Sequence, residues 1–538
     1  MAVTRDSRTD LGVVYTPREV CEPMVRRALE PLLAGRSRDE ILTLRICDPA
    51  IGEGAFLIEI VRVLAEAIEG ADARVAVAEQ CIHGIDVDAR AVAVARQAIE
   101  RFVGGPVPAL QQHLRVGDAL TCTWPVFDAV VGNPPYVRQE RLGEQKPALR
   151  KFAAYDGVAD LYVYFIELAH RITRAGGRYC LVVPNKWMTA AYGRPLREFL
   201  AAQASVEGVV DFGRALPLFG DADAFPCIVW GIIGAPATEP IRAARSGSSS
   251  VARALAEVAS PQARERWRDG PWNIDAPGDA DIIDRWAKRW PALGDLLPER
   301  PSRGVVTGCN RAFVIDLATR ARILDEEPEA ATLIRPFVKG RDVRRWKPAA
   351  IDRYILLVDR GTSLETLPRV AAHLAQFRAA LEPKPAAWQG AWHGRKPGAY
   401  RWCELQDPVG PLAKSRASRL LYQDIQTAPA CSLDESGDVV PDTTVWILPT
   451  ADKFLLAVLN SPIYGWYARR RFPPALNGAV RPKLEYMRAL PIATPSPALR
   501  AKIVALVEDQ LAHPDATTEA AIAAAVCDAY EMSPEQLQ

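Results

Sequence analysis

Asn133, Pro134, Pro135 and Tyr136 stand together directly after an apolar run, FDAVVG at 127–132. Two prolines restrict the backbone there, so the Asn133 amide oxygen and the Pro134 carbonyl can face one spot. An exocyclic amine brings two N–H donors to such a spot. Accepting both draws a planar aryl amine toward tetrahedral geometry and frees its lone pair, and the face of Tyr136 can stack on the ring and favour the positive charge that develops. A nitrogen prepared in this way can attack a methyl sulfonium without a protein base. The competing reading of the same four residues is a proline-rich turn after a strand.

Upstream, DPAIGEGAF at 48–56 follows one apolar run and opens a helical pattern. Its glycines, Gly52 and Gly54, let the backbone close tightly under a ligand, and Asp48 at the strand end can accept from an amine or a hydroxyl. Alone, such a turn is a weak signal. Asp86 ends the next run in GIDVD, where a carboxylate suits a ribose diol, and Asp118 ends the third in VGDAL, where it suits an adenine amine. Three acids at three successive strand ends describe a ligand that contains adenosine. The glycine spacing is not GxGxxG, which counts against a dinucleotide.

The elements that must position these residues are legible between about 41 and 235. The strands read as LTLRICD (42–48), CIHGID (81–86), HLRVGD (113–118), FDAVVGN (127–133), GRYCLVVPN (177–185), VEGVVDFG (206–213) and FPCIVWGII (225–233). Segments of helical periodicity alternate with them, as in AFLIEIVRVLAEAIEG, DARAVAVARQAIERF, LYVYFIELAHRI and GRPLREFLAAQ. This predicts a doubly wound α/β domain with its ligands at the carboxyl ends of the strands.

The 538 residues predict more than one domain, and 49% hydrophobic with 24% charged residues is the balance of a folded globular chain. A net charge of +1 says nothing about partners, so a nucleic-acid surface has to come from local segregation of charge. No run is long and apolar enough for a bilayer and the start lacks a secretory core, which predicts a cytoplasmic protein with no membrane partner. The ten cysteines form no CxxC pair and read as buried reduced thiols; with six dispersed histidines, no metal site is expected. His83 and His170 fall in apolar patterns and read as structural.

Residues 236–300 are rich in Pro, Gly, Ser and charge and read as a connector. Residues 301–495 read as a mixed α+β domain with short strands in AFVID, RYILLV, RLLYQDI and TVWILP. Residues 496–538 read as a helical tail capped at Thr517 or Thr518. Cations concentrate at Lys339, Arg341, Arg344 and Arg345, and again at Arg469, Arg470, Arg471 and Lys483, among Trp346, Trp466, Tyr467 and Phe472. Such clusters can grip phosphates and read base edges, or form a solvated face with the aromatics in the core. The polar stretch after Tyr136, with Arg138, Lys146, Arg150 and Lys151, reads either as a lid able to close on a DNA backbone or as surface helix.

In their order along the chain, VYTP at 14–17, DPAIGEGAF, GIDVD, VGDAL, NPPY, ADLYVYF (159–165) and GRYCLVVPN resemble the gamma-class, TaqI-like, S-adenosylmethionine-dependent N6-adenine DNA methyltransferases. The resemblance covers residues 11–235. It implies a Rossmann-like methyltransferase catalytic domain over 1–235, and looser similarities at 304–316, 334–346 and 454–472 imply a DNA target-recognition domain over 301–495. By position, Thr16, Asp48, Gly52 and Gly54 would hold the methionine end of S-adenosylmethionine. Asp86 would take its ribose, Val87 and Asp118 its adenine, and Tyr15, Ala50, Ala119 and Asn133 would also line the cofactor. Asn133, Pro134, Pro135 and Tyr136 would engage the target base, with Phe219 holding the flipped adenine and Phe225 as its rival. Base flipping follows because the amine cannot reach a sulfonium from inside the stack. The implied partners are double-stranded DNA and a separate restriction or defence subunit. Because the YTP element stands near residue 14, modification without cleavage is expected.

Other readings stay in view. Pro226-Cys227 suggests a C5-cytosine nucleophile, but lies inside an apolar strand and reads as core. An N4-cytosine enzyme more often carries Ser at the position of Asn133. A protein-glutamine N5-methyltransferase shares the NPPY turn but lacks the YTP element and the large second domain. A DNA-binding subunit with vestigial catalysis is the remaining alternative, against which the intact Asp48, Asp86 and NPPY set argues.

Overall fold

The computed structural model describes residues 16–213, 216, 225–234, 240–258, 260–262, 264–268, 270–276, 278–473, 475 and 478–537. They form two compact units, Met1–Pro277 and Gly278–Gln538.

The first unit is built on one sheet of nine strands. These are β1 (Ile46–Asp48), β2 (Ile82–Asp86), β3 (Leu114–Val116), β4 (Phe127–Gly132), β5 (Thr173–Pro184), β6 (Ala204–Asp211), β7 (Pro226–Ile233), β8 (Ile241–Arg245) and β9 (Ser260–Gln262), in the spatial order 3-2-1-4-5-7-6-8-9. β3, β2, β1, β4 and β5 run parallel, and β7 is antiparallel to both β5 and β6. The strand-order reversal at β1 and β4 is where a doubly wound sheet opens a crevice at its carboxyl edge.

Helices cover both faces of the sheet. α1 (Arg18–Leu33), α2 (Ala55–Ile68) and α3 (Ala89–Val103) pack on one, while α4 (Tyr162–Ile172) and α5 (Arg194–Gln203) belong to the other. Side chains alternate along a strand, so Ala129 and Val131 of β4 enter one apolar layer and Val130 the other; Cys180 and Val182 of β5 oppose Leu181 and Val183 in the same way. A sheet buried on both sides needs apolar residues at consecutive positions, which is why its strands stand out as continuous runs.

The stretch expected as a connector is divided between the two units. Ile241 and Ala243 of β8 are buried while Arg242 and Arg245 are exposed. β8 pairs parallel with β6 and antiparallel with β9, so this polar stretch continues the sheet. The second unit begins with α6 (Asp279–Arg289), whose Trp286 is 2% exposed within that unit's core.

The second unit holds two four-stranded sheets. One has the order β10 (Ser302–Arg303), β17 (Val445–Leu448), β14 (Arg419–Gln423), β15 (Cys431–Asp434); the other has the order β11 (Val314–Asp316), β13 (Arg353–Leu356), β12 (Ile334–Val338), β16 (Val440–Pro441). α7 (Lys453–Leu459), α8 (Pro462–Arg471), α9 (Pro497–Ala512) and α10 (Ala516–Tyr530) pack around one core with Trp286 and Trp466. The C-terminal helices are therefore core elements of this unit. The cap of α10 is Asp515, whose carboxylate accepts the backbone N–H groups of Thr517 and Thr518 at 2.8 and 3.0 Å; the expected Thr caps are the donors.

Among the described residues no helix is long and apolar enough to cross a membrane, and no group of three or more His, Cys, Asp or Glu side chains is arranged to hold a metal ion. The ten cysteines are unpaired.

Candidate active site

The carboxyl ends of β1, β2, β3 and β4 bring Asp48, Asp86, Asp118 and Asn133 to one edge of the sheet. Asp48 closes β1 and is 1% exposed. Its Oδ1 accepts the Ala50 N–H at 3.0 Å. Two glycines make room for it: a Cβ on Gly132 would stand 2.5 Å from Asp48 Oδ1, and one on Gly84 2.8 Å from the Asp48 carbonyl oxygen. Burial pushes the Asp48 carboxyl up to about 7, with the charge of Asp86 adding to the shift and the Ala50 bond opposing it.

The turn that follows uses the left-handed region twice, at Gly52 (φ +49°) and Gly54 (φ +90°). A Cβ at Gly54 would lie 3.1 Å from the Ala95 Cβ of α3, whereas one at Gly52 would meet nothing within 4 Å. The turn thus closes against a helix at one glycine and opens to free space at the other. Asp86 braces it, accepting the Gly52 N–H and the Asp88 N–H at 3.0 Å each, one on either carboxylate oxygen. Each oxygen keeps a further lone pair, so the same carboxylate can accept from a pair of vicinal hydroxyls. Val87 beside it is 60% exposed, an apolar surface at the strand end. Asp118 lies two residues beyond the end of β3 and accepts the Leu120 N–H at 2.9 Å, and Ala119 is buried.

Asn133 leaves β4 with its amide fixed from one side only. Nδ2 donates to Thr16 Oγ1 at 3.0 Å, while the buried Oδ1 has no hydrogen-bond partner among the described residues. Thr16 is itself 5% exposed and immediately precedes Pro17, the N-cap of α1. A buried amide oxygen left unpaired costs free energy on the order of 1–3 kcal/mol, so an atom of this kind is a ready acceptor for a ligand N–H. Pro134 is buried, and Pro135 and Tyr136 are half-buried. The Tyr136 hydroxyl donates to the Val182 carbonyl of β5 at 3.2 Å, and its ring meets Tyr162 edge-on at 6.2 Å. Burial holds the Tyr136 hydroxyl well above the usual tyrosine range, so the ring stays neutral.

Tyr15 and Phe219 lie outside the described residues. Phe225 is half-buried, and its carbonyl accepts the Asn185 N–H at 2.7 Å. Asn185 in turn donates from Nδ2 to Asp211 Oδ1 at 2.9 Å, placing two further polar side chains at the carboxyl ends of β5 and β6. Sequence reasoning passed over this pair, although both stand where Asp48 and Asp86 stand, at strand ends. Cys227 is fully buried in β7 with its thiol pushed up by burial, and His83 and His170 are both held down to about 3, chiefly by burial.

The polar stretch after Tyr136 is pinned. Lys146 Nζ donates to Gln139 Oε1 and to the Gly157 carbonyl at 2.8 Å each, and the Glu167 carboxylate accepts the N–H groups of Ala153 and Ala154 at 3.0 and 2.7 Å. Arg138, Arg150 and Lys151 are exposed.

In the second unit the predicted cations differ in exposure and in the contacts they make. Arg341, Arg344, Arg469 and Lys483 are exposed, and Lys339 is half-buried. Arg345 bonds the Asn460 carbonyl at 2.6 Å and the Glu519 carboxylate at 2.7 Å; Arg470 pairs with Asp279 at 2.6 Å over the Trp466 ring, and Arg471 Nη1 donates to the Arg470 carbonyl at 3.3 Å. Trp346, Trp466, Tyr467 and Phe472 are 0–6% exposed, so these aromatics are core and offer no face to a base.

The sheet order and the helices on its two faces define a Rossmann-like α/β fold of the methyltransferase type. Residues 125–219, which include the Asn133 turn, match the Eco57I restriction-modification methylase family. The chain is 26% identical over 528 residues to the type II methyltransferase M.PaeR7I of Pseudomonas aeruginosa, covering 89% of this chain and 85% of that one. It is 22% identical to the type II methyltransferase M.BstVI of Geobacillus stearothermophilus over 92% of each. The solved type IIL restriction-modification enzyme MmeI, in complex with DNA, has the same fold with a TM-score of 0.67 at 15% identity, across 99% of this chain and 78% of that one. The chain is thus related to the type II restriction-modification methyltransferases.

Proposed function

We propose that the chain is a DNA methyltransferase that transfers a methyl group from S-adenosylmethionine to the N6 amine of an adenine flipped out of duplex DNA. The observation that carries this reading is the Asn133 amide, with its nitrogen held by Thr16 and its buried oxygen unpartnered among the described residues. In this reading Asn133 Oδ1 and the Pro134 carbonyl accept the two N–H bonds of the target amine. The Asn133 acceptor is fixed before the base arrives, so little reorganisation accompanies the change at nitrogen. Tyr136, anchored through its hydroxyl, presents its ring to the base, and Phe219 or Phe225 holds the base from another side.

The residues fit the cofactor. Gly52 opens to free space, Asp86 keeps lone pairs for a ribose diol, and exposed Val87 offers an apolar surface to adenine, with Asp118, Ala119 and Ala50 completing the site. Thr16 accepts from Asn133 and retains its own O–H to donate toward the methionine end, beside Asp48 and Gly54. Bound there, S-adenosylmethionine supplies the electrophilic methyl group. The second unit serves as the target-recognition domain, with the exposed Arg341, Arg344, Arg469 and Lys483, and Arg138 of the first unit, directed at phosphates.

Incubating the full chain with labelled S-adenosylmethionine and either unmodified genomic DNA or a release factor tests the substrate. Label is expected in DNA. Label in the release factor alone would favour the protein-glutamine reading.

A further inference from the structure

The sequence contains thirteen tryptophans. Among the described tryptophan, tyrosine and phenylalanine residues, Trp388, 50% exposed, is the one in the exposed class. It lies in the second unit, on a loop that neither basic cluster includes. The eighteen residues 384–401 hold four Lys or Arg side chains and no acidic one.

The loop is built rather than loose. Buried Arg395 anchors its base, its guanidinium donating to the carbonyls of Leu381 at 2.8 Å, Thr307 at 3.0 Å and Glu404 at 2.7 Å. Lys384 Nζ spans the loop to the Gly390 carbonyl at 2.8 Å. Gly394 is required by space, since a Cβ there would stand 2.2 Å from the Glu382 carbonyl oxygen. At the tip the Trp388 indole N–H is satisfied by the Ala391 carbonyl at 3.0 Å, and Trp392 supports the ring edge-on at 5.2 Å. An indole whose polar edge is already bonded and whose position is fixed has its apolar surface left to offer. Its ordering has been settled in folding, so little of that cost falls on binding.

We propose that this loop is a DNA contact in which Trp388 stacks on a base or wedges at a base step, while Lys396, exposed on the same loop, meets a phosphate. A polyanion fits a loop free of acids, and stacking on an aromatic face suits every base. The assignment rests on the DNA methyltransferase reading and adds to it a binding element outside the Asn133 site.

The test is anisotropy binding of random-sequence duplex DNA by the full chain across a salt series, for wild type, Trp388→Ala, Trp388→Phe and Lys396→Ala. Trp388→Ala is expected to weaken binding about 5- to 100-fold, with Trp388→Phe retaining most of the affinity. Lys396→Ala is expected to lower the logarithmic salt slope by about one. Melting temperature and S-adenosylmethionine affinity should hold in all three. Unchanged duplex affinity in Trp388→Ala, or a change in self-association in its place, overturns the loop assignment alone. A wild-type chain that binds no duplex overturns the functional reading beneath it.

Discussion

Asn133 is held from its nitrogen side, by a threonine 117 positions earlier in the chain. That bond selects which end of the amide faces the cleft, and an amide turned the other way would present donors to an amine that is itself a donor. Thr16→Val removes the acceptor and should lower the methylation rate at saturating cofactor roughly 10-fold or more, whereas Thr16→Ser should restore it. Single-turnover rates and cofactor affinity measured side by side check this; a variant whose whole defect is in cofactor affinity would assign Thr16 to the cofactor alone. Asp48 gives a second expectation. Its folded carboxyl titrates near 7 against an ordinary 3.8, so between these values the unfolded chain releases a proton that the folded chain keeps. Stability therefore falls as pH rises from about 4 to about 7, by up to ~4 kcal/mol from this group. Asp48→Asn removes that loss, and melting curves of the ligand-free protein should show it more stable than wild type at pH 8 and little changed at pH 4.5. The acids were legible because a βα turn fixes where a strand-end side chain points. The Thr16–Asn133 pair was not, because nothing local joins the two positions.

At the scale of elements, β1 and β4 approach so closely that the site depends on residues with no side chain. Gly132→Ala would drive a methyl group against the Asp48 carboxylate. It is expected to cost about 1–3 kcal/mol of stability and to weaken S-adenosylmethionine binding, measured by thermal unfolding and calorimetry. Strands β1 to β7 could be read from the sequence because burial on both faces makes them apolar runs, but β8 alternates between Ile241 and Ala243 inside and Arg242 outside, within a Ser- and Gly-rich stretch, and so read as connector. The glycines at 84 and 132 carried no sequence signal of their own, since what crowds them comes from other strands and turns.

Over the whole molecule, a net charge of +1 makes the destination of each cation matter more than the total. The sequence showed where cations cluster and could not show which ones the fold itself consumes. Arg470 and Asp279 are 19% and 13% exposed and pair at 2.6 Å, so Arg470→Ala should destabilise the second unit by about 1–3 kcal/mol. Arg344→Ala should leave the melting temperature in place and lower the salt slope of duplex binding by about one. Equal effects of the two variants on stability would remove this distinction. Trp346 and Trp466 were visible beside the clusters for a reason unrelated to bases: both fill the core of the second unit.

The most direct measurement is the identity of the modified nucleoside in DNA treated with labelled S-adenosylmethionine by wild type, Asn133→Ala and Tyr136→Ala. The account predicts N6-methyldeoxyadenosine from wild type, at least ~10²-fold slower formation by either variant, and S-adenosylmethionine binding retained by both. Methylcytosine as the product, or an Asn133→Ala enzyme as fast as wild type, would contradict it.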